Sequence, residues 1–144
     1  MRCVGTWSTF PDSTSPNYAV DYAFGTLATP IKPYLGIQEG LPADEWIAVG
    51  YPVDIDAGER QQFVRGKEVS TSNNVVEMSN NTMQNGASGG GWIADIKGLG
   101  QTVIGVNSFL SGNMFGPFFD SGVGLLYGHM QNLGKGTDCP APNQ

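Results

Sequence analysis

The chain has 144 residues, enough for one domain with a real core, and its 21 glycines and 9 prolines alongside 40% hydrophobic residues point to short strands joined by many turns. Seven basic against thirteen acidic side chains give a net charge of −6, and no run of Lys or Arg could neutralise successive phosphates, which argues against nucleic acid as a partner. No apolar run approaches the roughly 20 residues that cross a bilayer, so no membrane partner is expected, and the opening MRCVGTWSTF reads as carrying no signal peptide.

In chain order, residues 5–17, GTWSTFPDSTSPN, are rich in turn formers and read as an exposed loop. YAVDYAFGTL, residues 18–27, reads as a largely buried strand with one embedded carboxylate, Asp21. The three prolines of ATPIKPYLGIQEGLPADE make that stretch a surface connector. Six strand-like segments follow, WIAVGYPV, QQFVRGKEVSTS, NVVEMS, GWIADI, QTVIGVNSF and NMFGPFFDSGVG, separated by Gly, Asn and Asp turns. Such spacing predicts an all-β domain built as a closed antiparallel barrel. Only VGLLYGHMQNL near the end has helical spacing, which predicts one short C-terminal helix. Cys3 and Cys139 lie near opposite ends; they are disulfide candidates, either with each other or elsewhere, and lack the close spacing of a metal or redox pair. GKGT at 134–137 lacks the first glycine of a phosphate loop and reads as a terminal turn, so neither metal nor cofactor is implied.

The stretch QNGASGGGW, residues 84–92, surrounds Ser88 with glycines. Acyl transfer by serine requires N–H groups aimed at the developing oxyanion and an open approach for the substrate carbonyl. Glycine backbone supplies both, and the amides of Gly86 and Ser88 could converge if the chain turns sharply there. A plain glycine-rich hairpin is the alternative. Gly86 to Gly90 also fit the G-x-S-x-G elbow of α/β-hydrolases, with Asp120 and His129 in the matching order. That elbow needs a helix directly after the serine, yet Gly89, Gly90 and Gly91 would each cost about 1 kcal/mol in a helix, and GWIADI reads as a strand.

NGASGGGW resembles the nucleophile segment of chymotrypsin-like serine peptidases, and other stretches follow that family's order. AVDYAFGTL resembles the strand of the triad aspartate; VGYPVD is similar to a stretch of the secreted bacterial and fungal branch that includes glutamyl endopeptidases; TVIGVNSF resembles the strand beside the specificity pocket. The resemblance implies an extracellular serine endopeptidase acting on peptide or protein substrates. Ser88 would be the nucleophile, Asp21 the orienting carboxylate, the amides of Gly86 and Ser88 the oxyanion hole, and Ser108 the serine that touches the aspartate. The pocket wall would be Thr82, Met83, Asn107, Ser108, Phe109 and Leu110. The implied layout is a first-barrel remnant over 1–30, a connector over 31–45, an essentially complete second barrel over 46–122, and the helix and tail over 123–144.

The resemblance also exposes a departure. In the family the base histidine precedes the aspartate, but no histidine lies between Met1 and Asp21, and His129 follows Ser88. The chain is therefore expected to lack the base-bearing part of the first barrel and to be inactive or nearly so by itself, as a fragment, one chain of a split enzyme, or a noncatalytic peptide-binding descendant. Thr82 at the pocket base disfavours basic P1 residues, Asn107 gives no support for glutamate, and Leu110 suggests small or medium side chains. Ala87 stands where zymogen-activated members carry aspartate, so activation through that salt bridge is not expected. Apolar surface near Trp7, Tyr18 and Phe24 is expected to drive self-association. Asn80-Asn81-Thr82 forms a glycosylation sequon read as coincidental.

Overall fold

The computed structural model describes residues 3–6, 15–27, 29, 31–40 and 44–134. Its strands are β1 (Cys3–Thr6), β2 (Ala23–Thr26), β3 (Gly36–Ile37), β4 (Trp46–Gly50), β5 (Gln62–Gly66), β6 (Glu68–Ser72), β7 (Val75–Met78), β8 (Gly91–Ile96), β9 (Gly100–Val106), β10 (Phe109–Ser111) and β11 (Asn113–Pro117). An α-helix, α1 (Ser121–Gly134), closes the described chain.

Strand alternation builds the core. Trp46 and Ala48 on β4, Val76 and Met78 on β7, and Trp92 and Ala94 on β8 are buried, with half-buried residues between them. Period-two spacing sends one face of each strand inward. With Ile104 of β9 these side chains form one cluster, centred on the stacked rings of Trp46 and Trp92, whose centroids are 5.6 Å apart. Each buried aromatic ring of this size removes on the order of 200 Å² from water, so the two indoles dominate the cluster.

The strands form a five-stranded sheet in the order β3-β9-β8-β4-β5 and a four-stranded sheet in the order β10-β11-β7-β6. At one corner the chain passes between sheets through Lys67, which separates β5 from β6. Gly66 makes that corner possible, because a Cβ there would collide with the Ser79 carbonyl. At the other corner Gly105 on β9 bridges Phe118, just past β11. The two sheets, antiparallel except for the β3–β9 pair, therefore wrap the core as a β-barrel that meets at two corners; the barrel matches the sequence reading, but its sheets stay separate where full closure was expected.

Several local expectations change. QQFVRGKEVSTS is two strands in different sheets, since the chain turns the corner at its centre. The predicted loop over 5–17 contributes Gly5 and Thr6 to β1, which pairs antiparallel with β2. Asp21 does not lie within a strand: it follows a single helical turn, Tyr18–Val20, whose start is capped by the Asn17 side chain accepting from Ala19 N–H at 3.3 Å. In the connector, β3 pairs with β9, and it does so in parallel. α1 starts two residues earlier than its apolar spacing suggests, because Asp120 Oδ1 accepts from Gly122 N–H at 2.9 Å and caps the helix. Val123 and Leu126 of α1 pack with Tyr22 and Phe119, and the half-buried Phe24 joins them, which fixes β2 and the Asp21 turn against the barrel. Trp7 and the Cys139 partner of the proposed disulfide lie outside the described residues.

Candidate active site

Ser88 sits on the loop between β7 and β8. Two features turn it outward. Ala87 is fully buried against Met83 and Met114, so its side chain anchors the loop from beneath. Beyond Ser88, the loop and the end of β9 exchange two main-chain hydrogen bonds, Gly89 N–H to the Asn107 carbonyl and Asn107 N–H to the Gly90 carbonyl, both 2.8 Å. The glycines serve geometry: Gly86 has φ +92°, and a Cβ there would lie 2.7 Å from the Tyr51 carbonyl, while a Cβ on Gly90 would overlap the Val49 carbonyl.

The amides of this loop divide by use. Ala87 N–H donates to Gln84, Gly89 N–H to Asn107 and Gly90 N–H to Ala87. Among the described residues, the N–H groups of Gly86 and Ser88 have no protein acceptor. Main-chain donors left unpaired at a solvent-facing glycine turn suit an oxyanion.

A polar chain links Ser88 to Asp21. The exposed Ser88 hydroxyl donates to the Ser108 carbonyl at 3.1 Å, and the Ser108 hydroxyl donates to Asp21 Oδ2. Ser108 is itself held by its N–H donating to the Phe115 carbonyl at 2.9 Å. The structure thus joins Ser88, Ser108 and Asp21, which are widely separated in sequence.

The residues expected along the pocket wall divide into two groups. Thr82 and Leu110 are exposed, and Ser108 and Phe109 are half-buried. The side chains of Met83 and Asn107 instead turn inward, which corrects their assignment to the wall. Asn107 is 1% exposed and all its side-chain hydrogen-bonding capacity is used. Its Nδ2 donates to the carbonyls of Val49 at 3.0 Å and Ala87 at 3.1 Å, and its Oδ1 accepts from Trp92 Nε1 at 2.8 Å and Asn81 Nδ2 at 3.1 Å. It ties the Ser88 loop to β4 and to the core. Asn81 and Trp92 belong to the same support, and neither stood out as a site residue in the sequence.

Of these residues Phe109 also lines a groove of about 340 Å³ that the sequence did not reveal. Its lining includes Asn17, Tyr18, Ser70, Ser72, Phe109 and Phe115. Tyr18 packs on Phe109 at 4.2 Å between centroids, and Phe109 stacks on Phe115 at 5.0 Å, so one wall is aromatic and the other carries hydroxyls. Tyr18 and Phe24, expected to be sticky surface, are each half-buried, the latter against Tyr127.

The α/β-hydrolase alternative fails on this geometry. β8, not a helix, follows Ser88. Asp120 is committed to capping α1 and to accepting from Asn74 Nδ2 at 3.3 Å, while His129 lies on α1.

No protein-family model matches the sequence, and no curated protein matches it. Among solved structures, the chain is similar to a thermostable serine protease, AL20, from an extremophilic microorganism, with 27% identity and a TM-score of 0.67. The match covers 81% of this chain and 60% of that one, so the chain spans three-fifths of its neighbour's length. The barrel, the C-terminal helix and this likeness define a chymotrypsin-like serine protease fold.

Proposed function

We propose that the site is the acyl-transfer half of a secreted serine endopeptidase, with Ser88 as nucleophile and Asp21 as the carboxylate that orients a base. The observation that carries this reading is the polar chain from Ser88 through Ser108 to Asp21 beside the unpaired amides of Gly86 and Ser88. In the reaction, Ser88 Oγ adds to the scissile carbonyl and gives its proton to an imidazole. The carbonyl oxygen takes the negative charge and is held by the two amides. The amine then leaves with that proton, and water releases the acyl group by the reverse transfers. The base comes from outside these 144 residues, since their one histidine is on α1. The groove beside Phe109 takes an apolar or aromatic substrate side chain.

Free imidazole can stand in for the absent base, which gives a direct test. An organophosphonate should label the chain slowly, label it faster with imidazole in solution, and attach at Ser88. Ser88→Ala should remove the adduct, and Asp21→Ala should blunt the imidazole effect. Absence of any Ser88 adduct with imidazole present rejects the catalytic reading; extended peptides that still bind would then favour a noncatalytic peptide-binding role.

A further inference from the structure

The same loop holds a second kind of chemistry. Asn85 and Gly86 form the one Asn-Gly pair in the sequence. Asn85 is exposed, and among the described residues its side-chain amide has no protein hydrogen-bond partner. Gly86 N–H has no protein acceptor either, while the Asn85 carbonyl is held by Val53 N–H at 2.8 Å. A main-chain nitrogen therefore follows an unrestrained side-chain carboxamide, with no Cβ to obstruct its approach.

We propose that Asn85–Gly86 is a site of spontaneous deamidation, with water as the only co-reactant, which converts Asn85 to aspartate and isoaspartate. The Gly86 nitrogen, losing its proton to solvent, adds to Asn85 Cγ. The Cγ–Nδ2 bond breaks, and ammonia leaves with the proton it needs, closing a five-membered imide. Water then opens the ring. Attack at Cγ restores the main chain and leaves aspartate. Attack at the main-chain carbonyl leaves isoaspartate, with the chain running through the former side chain. One water is consumed and one ammonia released, with no change of oxidation state.

The other asparagines lack this combination. Asn107 is buried and fully bonded. Asn113 donates to Glu77 Oε1 at 2.9 Å and precedes Met114. Asn80 is exposed but precedes Asn81, whose side chain is 0% exposed and bonded to Asn107. A side chain on the following residue crowds the attacking nitrogen, and glycine alone removes that obstacle.

The consequence for Ser88 rests on the function proposed above. Isoaspartate adds a methylene to the main chain directly before Gly86 and places a carboxylate beside the amide assigned to the oxyanion. Displacement of about 1 Å can cost catalysis around 100-fold, and a fixed negative charge opposes the oxyanion.

The test is to hold the folded chain in mildly alkaline buffer beside a synthetic peptide of residues 84–91. Fragment-ion sequencing should place the amide-to-acid mass increment at Asn85, an isoaspartate-specific assay should turn positive, and Asn85→Gln should abolish both. Conversion of the peptide while Asn85 of the folded chain stays an amide overturns the proposal, as does an increment confined to other asparagines. Phosphonate labelling of the aged chain is the separate readout for function. It should fall with the isoaspartate fraction; isoaspartate formation with undiminished labelling would uphold the modification and reject Gly86 as an oxyanion donor.

Discussion

Ser88 and Ser108 meet through a hydroxyl-to-carbonyl hydrogen bond of 3.1 Å, and the Ser108 side chain continues to Asp21. One residue thus serves Ser88 with its main chain and the Asp21 carboxylate with its hydroxyl. Ser108→Ala keeps the first link and deletes the second. A hydrogen bond to a charged group contributes about 1.5–3 kcal/mol, so the variant should lose stability of that order in urea denaturation. Its imidazole-assisted labelling at Ser88 should also slow, because Asp21 loses the partner that positions it.

Adjacent glycines in the Ser88 loop should respond differently to alanine. Gly89 has φ +76°, and a Cβ added there would meet nothing within 4 Å, so only backbone strain opposes substitution, about 1–2 kcal/mol. Gly90→Ala drives the methyl into the Val49 carbonyl, a main-chain atom that cannot rotate away. Its cost should exceed about 3 kcal/mol, in the range of severe core disruption. Equilibrium denaturation of the two variants checks the difference, and equal losses would show that the loop adapts.

The stacked indoles provide a second comparison. Trp92 Nε1 donates to Asn107, whereas Trp46 Nε1 is buried without a hydrogen-bond partner. Trp46→Phe removes an unpaired donor, whose burial costs about 1–3 kcal/mol, and this offsets much of the lost packing. Trp92→Phe loses packing and also deprives Asn107 Oδ1 of a donor. Thermal or urea unfolding should rank Trp92→Phe as the more damaging substitution, with the Ser88 loop loosened because Asn107 supports it.

Glu77 supplies a pH dependence. Asn113 first, then Ser70, donate to its carboxylate and hold its pKa below the ordinary value. A lowered folded-state pKa means that the ionised form adds stability above the unfolded-state value, and that this contribution is lost as pH falls through the folded-state pKa. The stability gap between wild type and Glu77→Gln should therefore be present at neutral pH and close in acid. A gap that persists in acid would assign the effect to packing between β6, β7 and β11.

Much of the barrel was legible because alternation survives in short strands. WIAVGYPV, NVVEMS and GWIADI read as strands, and the structure buries Trp46-Ala48, Val76-Met78 and Trp92-Ala94 within them at a spacing of two. The glycines around Ser88 likewise signalled a backbone constraint, which the structure locates at the carbonyls of Tyr51 and Val49. Asn107 was misplaced for a physical reason. Along β9 the buried positions run Thr102, Ile104 and Gly105, and then Asn107 just past its end, because the register with β8 shifts between Trp92 and Ile93. A bulge reverses side-chain parity, and nothing local in QTVIGVNSF marks it.

The sequence by itself determined the strand class and the segment that presents Ser88, since these follow from periodicity, turn residues and glycine's lack of a side chain. Tertiary structure decided that Asp21 leaves its helical turn towards Ser108, that Asn107 supports the loop from below, and that Tyr18, Phe109 and Phe115 form one wall. Those relationships join residues from different strands and loops, and their geometry depends on strand register and on the two barrel corners, which arise only when the sheets pack around the core.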